Sequence, residues 1–189
     1  MVMTLLDPKY KIELPSTFKL SGRSPRMGDL TWMHWWLTTN KNNYSMKNVL
    51  EFGCGVTSWF LFDGIKPDKY VAMETYKGCV NMVSSHIPQI QMITTNWDDI
   101  PKIPYDVMFV DGSAGAPKGW VPVYPPRIFR ADPIKYAEGF ISEKCIVILH
   151  DHDYKGWVVA KNYVVENGYL LLDSFRSKHG TGIYQRQKQ

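Results

Sequence analysis

The residues of this chain best suited to chemistry stand at the ends of apolar runs. Cys145-Ile146-Val147-Ile148-Leu149, the most apolar stretch, leads directly into His150-Asp151-His152-Asp153. Tyr105 to Val110 ends in Asp111-Gly112, Lys69 to Met73 ends in Glu74, and Val49-Leu50-Glu51-Phe52 ends in Gly53-Cys54-Gly55. Carboxylates and imidazoles take protons, hold divalent ions, or accept hydrogen bonds from hydroxyl groups. Four ionisable residues directly after a buried strand are hard to explain by packing. The plain alternative at 150–153 is a helix-capping aspartate with solvated neighbours, and chemistry is the better reading.

Such residues act together only if the elements before them end at one place. Short continuous apolar runs bounded by glycines and polar residues suit buried parallel strands. The first of them passes through two glycines into the apolar helical run Val56 to Phe62, which reads as strand, turn, helix. At such a turn the missing side chains let a ligand lie against the main chain, and the unpaired N–H groups of the helix start point at it. One strand–helix–strand step later, Glu74 can accept two hydrogen bonds from the vicinal hydroxyls of a ribose. Its alternative role is a carboxylate at the start of a helix over Tyr76 to Ser85, worth about 0.3–1 kcal/mol. Gln91 to Thr94 reads as a third strand leading to Asn96-Trp97-Asp98-Asp99.

The remaining elements frame this set. Ser24-Pro25 reads as a helix start, after which Met27, Leu30, His34 and Leu37 recur at helical spacing beside Trp32, Trp35 and Trp36. Packing on the sheet is favoured for this helix over a lid or a partner surface. Residues 112–133 are rich in glycine and proline without periodicity, a length that in a compact domain points to function. They read as a substrate loop with Trp120, Tyr124, Arg127 and Arg130 as contacts. A helix over Pro133 to Ser142, a helix over Gly156 to Glu166, and a closing antiparallel hairpin of Tyr169 to Phe175 and Gly182 to Arg186 complete the order.

Glu51-x-Gly53-x-Gly55 after an apolar strand resembles the first motif of class I S-adenosylmethionine (SAM)-dependent methyltransferases, and Val110-Asp111 resembles their fourth. Ser58 stands where a dinucleotide fingerprint would have its third glycine. The resemblance implies an α/β fold: a Rossmann-like three-layer sandwich with a mostly parallel seven-stranded sheet and an antiparallel C-terminal hairpin. It implies a SAM-binding domain over residues 47–189; the arm and Trp-rich helix of residues 1–46 lie outside the resemblance and, in a chain about the size of one domain, read as part of the same unit. It implies SAM as cofactor, held by Glu51, Phe52, Gly53, Gly55, Ser58, Glu74, Thr75, Trp97, Asp98 and Asp111. In that pattern the glycine turn faces the amino acid part, Glu74 the ribose, and Trp97 and Asp98 the adenine.

The catalytic candidates are Asp111, His150, Asp151 and His152, as general bases or as metal ligands. Metal-dependent O-methyltransferases such as those acting on catechols hold magnesium with an Asp at the fourth strand and an Asp-Asn pair after the fifth. Asp111 and Asp151 match and His152 replaces the amide, so these three are the candidate seat for a divalent ion, magnesium or manganese. The chain also resembles plant glucuronoxylan O-methyltransferases over Val110 to Gly115 and Leu149 to Asp151, which favours a sugar or other small hydroxylated acceptor. The alternatives are a methyltransferase acting on nucleic acid or protein, and a non-catalytic nucleotide-binding module that interacts through its Trp-rich helix.

Composition bounds these readings. With 189 residues, 44% hydrophobic and 14% aromatic, the chain can bury one good core. No apolar run reaches the roughly 20 residues that span a bilayer, and the N-terminus lacks the pattern of a signal peptide. Three cysteines, Cys54, Cys79 and Cys145, fit reduced thiols better than a disulfide framework, which places the expected compartment in the cytoplasm. The net charge of +4 is scattered, so nucleic acid is neither demanded nor excluded as a partner.

Overall fold

Runs that are apolar at nearly every position form the middle of a single sheet. In the computed structural model, which describes residues 27–155 and 158–187, β1 (Asn48–Phe52), β2 (Lys69–Met73), β3 (Gln91–Ile93), β4 (Tyr105–Val110) and β5 (Ile141–His150) are parallel. β6 (Leu170–Phe175) and β7 (Thr181–Gln185) form an antiparallel hairpin whose second strand pairs with β5. The order is β3-β2-β1-β4-β5-β7-β6. This is the expected seven-stranded, mostly parallel α/β sheet.

Neighbouring residues of the central strands serve opposite cores, which is why their runs show no polar alternation. Val49, Ala72, Phe109 and Ile148 pack under α1 (Met27–Asn40), α2 (Val56–Ile65) and α3 (Lys77–His86). Leu50, Val71, Val110 and Val147 pack under α4 (Ala131–Ala137) and α5 (Val158–Glu166). In α1, Trp32 and Trp36 are buried, Trp32 stacking on Phe175 and Trp36 on Tyr44. The tryptophans thus pack this helix into the core. The N-terminal arm, the Ser24-Pro25 start and Gly156 lie outside the described residues.

Two boundaries differ from the sequence reading. α4 ends at Ala137, residues 138–140 form a turn, and Ile141 and Ser142, expected in the helix, open β5, where Ile141 pairs with Tyr105 across a register shift. Glu143 and Lys144 are exposed, so this half of the strand carries no apolar signal.

The register brings the strand ends level. Phe52 lies beside Met73 and Val110, Met73 beside Ile93, and Val110 beside Leu149. Gly53, Glu74, Asp111 and His150 therefore reach the same sheet edge. Between β1 and β4 the chain reverses its order of laying down strands, the switch point at which open α/β sheets form a crevice. There Gly53, at φ +88°, approaches Gly112 so closely that an added Cβ would stand 2.7 Å from the Gly112 nitrogen. Gly53→Ala is expected to lower the unfolding free energy by roughly 2–4 kcal/mol, from strained backbone plus overpacking. Urea denaturation measures it, and a loss below about 0.5 kcal/mol would refute the tight contact.

Candidate active site

The glycine turn is held from beneath by a buried chain of hydrogen bonds. The Gly55 N–H donates to Ser58 Oγ at 3.1 Å, and the Ser58 hydroxyl donates to Glu51 Oε2 at 2.7 Å. The Tyr70 hydroxyl donates to the same oxygen at 2.8 Å. Glu51 is fully buried, and its other oxygen, Oε1, has no hydrogen-bond partner among the described residues. Burial pushes the Glu51 carboxyl up to about 8, against the opposing pull of the Ser58 and Tyr70 hydrogen bonds. Glu51, Phe52 and Ser58 expose no surface. The structure places these three expected cofactor residues beneath the turn.

Gly55 is different. Its φ of 173° is extended backbone open to any residue, and a Cβ there would meet nothing within 4 Å. Neither backbone strain nor protein packing requires a glycine at this position. What its missing side chain leaves is an open seat beside the start of α2.

Along the edge, Glu74 Oε1 accepts from the N–H groups of Thr75 and Tyr76 at 2.7 and 2.8 Å, at the start of α3. The helix-start role weighed for this carboxylate is present in the fold. Asp98 is exposed, its own N–H bound to Asn96 Oδ1 in the 3-10 turn Trp97–Asp99, and it accepts from the Tyr136 hydroxyl at 3.2 Å. Trp97 is fully enclosed, its indole N–H donating to the Ala114 carbonyl and its ring edge-on to Phe52 and Trp120. It braces the following loop, and both faces of its ring are covered by protein.

The acidic strand ends form one ionic cluster. Arg130 Nη2 lies 2.6 Å from Asp111 Oδ1, and Nη1 lies 3.6 Å from Asp151 Oδ2 while donating to the His150 carbonyl. His150 Nδ1 is 2.9 Å from Asp111 Oδ1 and Nε2 is 3.4 Å from Asp151 Oδ1. The basic side chains lie beneath, 7% exposed for Arg130 and 10% for His150, whereas Asp111 and Asp151 keep 20% and 22% toward solvent. Burial opposes a charge on His150, but the Asp111 hydrogen bond and the charges of Asp111 and Asp151 prevail over burial and Arg130 and raise its pKa. Asp151 holds φ +56°, a left-handed backbone uncommon outside glycine.

His152, expected in this group, is absent from it. Its Nδ1 pairs with the Tyr184 hydroxyl at 2.9 Å and its Nε2 faces Asp153 at 3.3 Å, under the β6–β7 hairpin. Burial lowers its pKa. His150, not His152, joins Asp111 and Asp151, whose ligand-type atoms lie within 4.8 Å of one another. A divalent ion fits this trio poorly, because a guanidinium already bridges both carboxylates.

The loop from 112 to 130 is built, not slack. Asp132, fully buried, accepts from the Trp120 indole and the Val123 N–H at 2.8 Å each through Oδ1, and from the Phe129 N–H at 2.7 Å through Oδ2. Of the expected substrate contacts, Arg130 belongs to the ionic cluster and Arg127 is exposed. Trp120 is pinned by Asp132, and Tyr124 donates to Glu166 in the last turn of α5 at 3.4 Å. Tyr124 is thus tied to the end of α5.

Two residues not singled out in the sequence matter here. Asp132 had a signal, an acid beside a proline at a helix start. Asp29 shares a helical stripe with the buried Met33 and Trp36, accepts from Thr181 Oγ1 at 3.2 Å, and lines a crevice with Thr57, Phe109 and His150. A carboxylate inside an apolar stripe was its signal.

No protein-family model matches the sequence, and no curated protein matches it. Solved structures do. A SAM-dependent O-methyltransferase from Thermotoga maritima is similar with a TM-score of 0.65 at 8% identity, covering 89% of this chain and 68% of that one. Ribosomal protein L11 methylase from Lactobacillus delbrueckii subsp. bulgaricus scores 0.60 at 13% identity, covering 88% and 81%. N-methyltransferase NodS from Bradyrhizobium japonicum WM9, in complex with S-adenosyl-L-homocysteine, scores 0.58 at 10% identity, covering 82% and 86%. What these share with the chain is the fold. No helix among the described residues is long and apolar enough to cross a membrane.

The protonated Glu51 gives a stability test. The folded group keeps its proton up to about pH 8, whereas the free carboxyl loses it near 4.5, so folding takes up a proton in that window and stability falls as pH rises through it. Glu51→Gln keeps a carbonyl acceptor and never ionises. Its Tm relative to wild type is expected to rise from pH 5 to pH 8, by about as much as a few kcal/mol of linkage allows. A difference between the two proteins that stays constant with pH would overturn the assignment.

Proposed function

We propose that this chain, which carries the fold of class I SAM-dependent methyltransferases, binds SAM across the β1–β4 crevice and methylates a hydroxyl oxygen of a sugar or another small acceptor. The observation that carries the reading is the convergence of the open Gly55 seat, Glu74 and the Asp111–His150–Asp151 cluster on one sheet edge. SAM supplies an electrophilic methyl group on a sulfonium sulfur.

The residues divide the remaining work. Gly55 lets the cofactor lie against the main chain at the start of α2, where N–H groups face it. Glu74, anchored through Oε1, accepts from the ribose hydroxyls. Asp98, exposed beyond the 3-10 turn, accepts from the adenine amine. Asp111 and Asp151 turn their carboxylates outward, and Asp151 takes the acceptor's hydroxyl proton as the O–CH3 bond forms and the S–CH3 bond breaks. His150 beneath them holds both carboxylates in place. Exposed Tyr154, edge-on to His179 at 4.6 Å between rings, offers an apolar wall near Asp151 for a small acceptor.

Calorimetric titration with SAM tests the cofactor half. Wild type is expected to bind, Gly55→Val and Glu74→Ala to bind roughly 10–100-fold more weakly, and Gly55→Val to keep its Tm because its side chain enters open space. No heat with wild type would end the reading. Asp151→Asn tests the chemical half: kcat is expected to fall by about 10²–10⁴-fold with SAM affinity nearly intact. Equal losses in both would make Asp151 a cofactor-binding group.

A further inference from the structure

We propose that Arg130 is the built-in counter-cation of the site, occupying the seat that a divalent ion would take between Asp111, His150 and Asp151, so that the site works without metal. The inference deepens the methyltransferase reading and rests on it for its functional meaning, but its physical content stands on the cluster alone. Asp111, His150 and Asp151 offer three ligand-type atoms within 4.8 Å of one another, drawn from two aligned strand ends. The Arg130 guanidinium reaches both carboxylates of this set, at 2.6 Å from Asp111 and 3.6 Å from Asp151.

Three properties make this arrangement exclusive. The guanidinium cannot lose its charge, and its side chain is only 7% exposed, so an incoming dication would sit beside a buried like charge. Asp111 Oδ1 already accepts from Arg130 and faces His150 Nδ1, which leaves that nitrogen placed as a donor to a carboxylate and not as a metal ligand. Arg130 also donates to the His150 carbonyl at the end of β5, which fixes the guanidinium from a second side. Arg130 comes from the end of the 112–130 loop, just before α4, where Asp132 binds the Phe129 N–H. The loop that borders the acceptor side therefore also delivers the cation. Arg130 acts through the two aspartates and is a positioning residue.

Metal titration of the full chain, stripped of ions beforehand, tests this directly, with Mn2+ and Zn2+ as the probes. Wild type and Arg130→Lys are expected to show no stoichiometric site at the cluster. Arg130→Ala is expected to gain one ion per chain, bound at least roughly 100-fold more tightly than by wild type, and adding Asp111→Asn to it to remove that site. Wild type binding one ion that Asp111→Asn abolishes would overturn the proposal, and so would a folded Arg130→Ala that gains nothing. Should Arg130→Ala fail to fold, the comparison of wild type with Asp111→Asn and Arg130→Lys still decides it. SAM binding is read separately by heat of titration, so a chain that binds no SAM would sink the cofactor reading while leaving the ion result intact.

Discussion

Two glycines in contact, Gly53 at the end of β1 and Gly112 after β4, set the terms for everything at the sheet edge. The two strands are neighbours in register, yet they sit on either side of the point where the chain changes direction across the sheet. With a side chain at Gly53 the backbones would be forced apart, since its first carbon would stand 2.7 Å from a main-chain nitrogen. Instead the N–H groups of Asp111 and Gly112 both reach the Phe52 carbonyl, at 2.8 and 2.9 Å. The glycine turn and the first acid of the ionic cluster are thereby fixed relative to each other through main chain alone, independent of any rotamer.

From that contact two different kinds of polar interior are built. Under the turn lies a neutral one, in which a serine, a tyrosine and a protonated glutamate share a single oxygen. Beside it, at the ends of β4 and β5, lies an ionic one with two carboxylates over a guanidinium and an imidazole. The first is fully enclosed by protein, and burial decides its charge state in favour of the neutral acid. The second is at the border with solvent, where paired charges survive because each has a partner.

Much of this could be read in the residues before any coordinates. β1, β2 and β4 are apolar at nearly every position because helices cover both faces of the sheet, and each ends in a glycine or an acid that the sequence displays plainly. The limits of the reading have physical reasons. The first half of β5 carries exposed Glu143 and Lys144, so no burial pattern marks it as strand. His150 and His152 are equivalent in sequence. Only the extended backbone of β5, followed by the left-handed Asp151, turns one to the cluster and the other to Tyr184. Arg130 lies in a stretch without periodicity, so nothing in its spacing announces that it meets two strand ends. Glu51 and Trp97 have types that suit ligand contact, and nothing in their spacing announces that both are completely buried.

Asp132 has a consequence for how guests arrive. One carboxylate gathers the main chain or indole of Trp120, Val123 and Phe129, while Ala114 and Gly115 are tied to Trp97 from the other side. The conformational freedom of this segment is therefore surrendered when the protein folds and not when a molecule docks, so affinity is not drained by ordering it. A wall already standing favours guests of matching outline and gives little to those that would need it to bend.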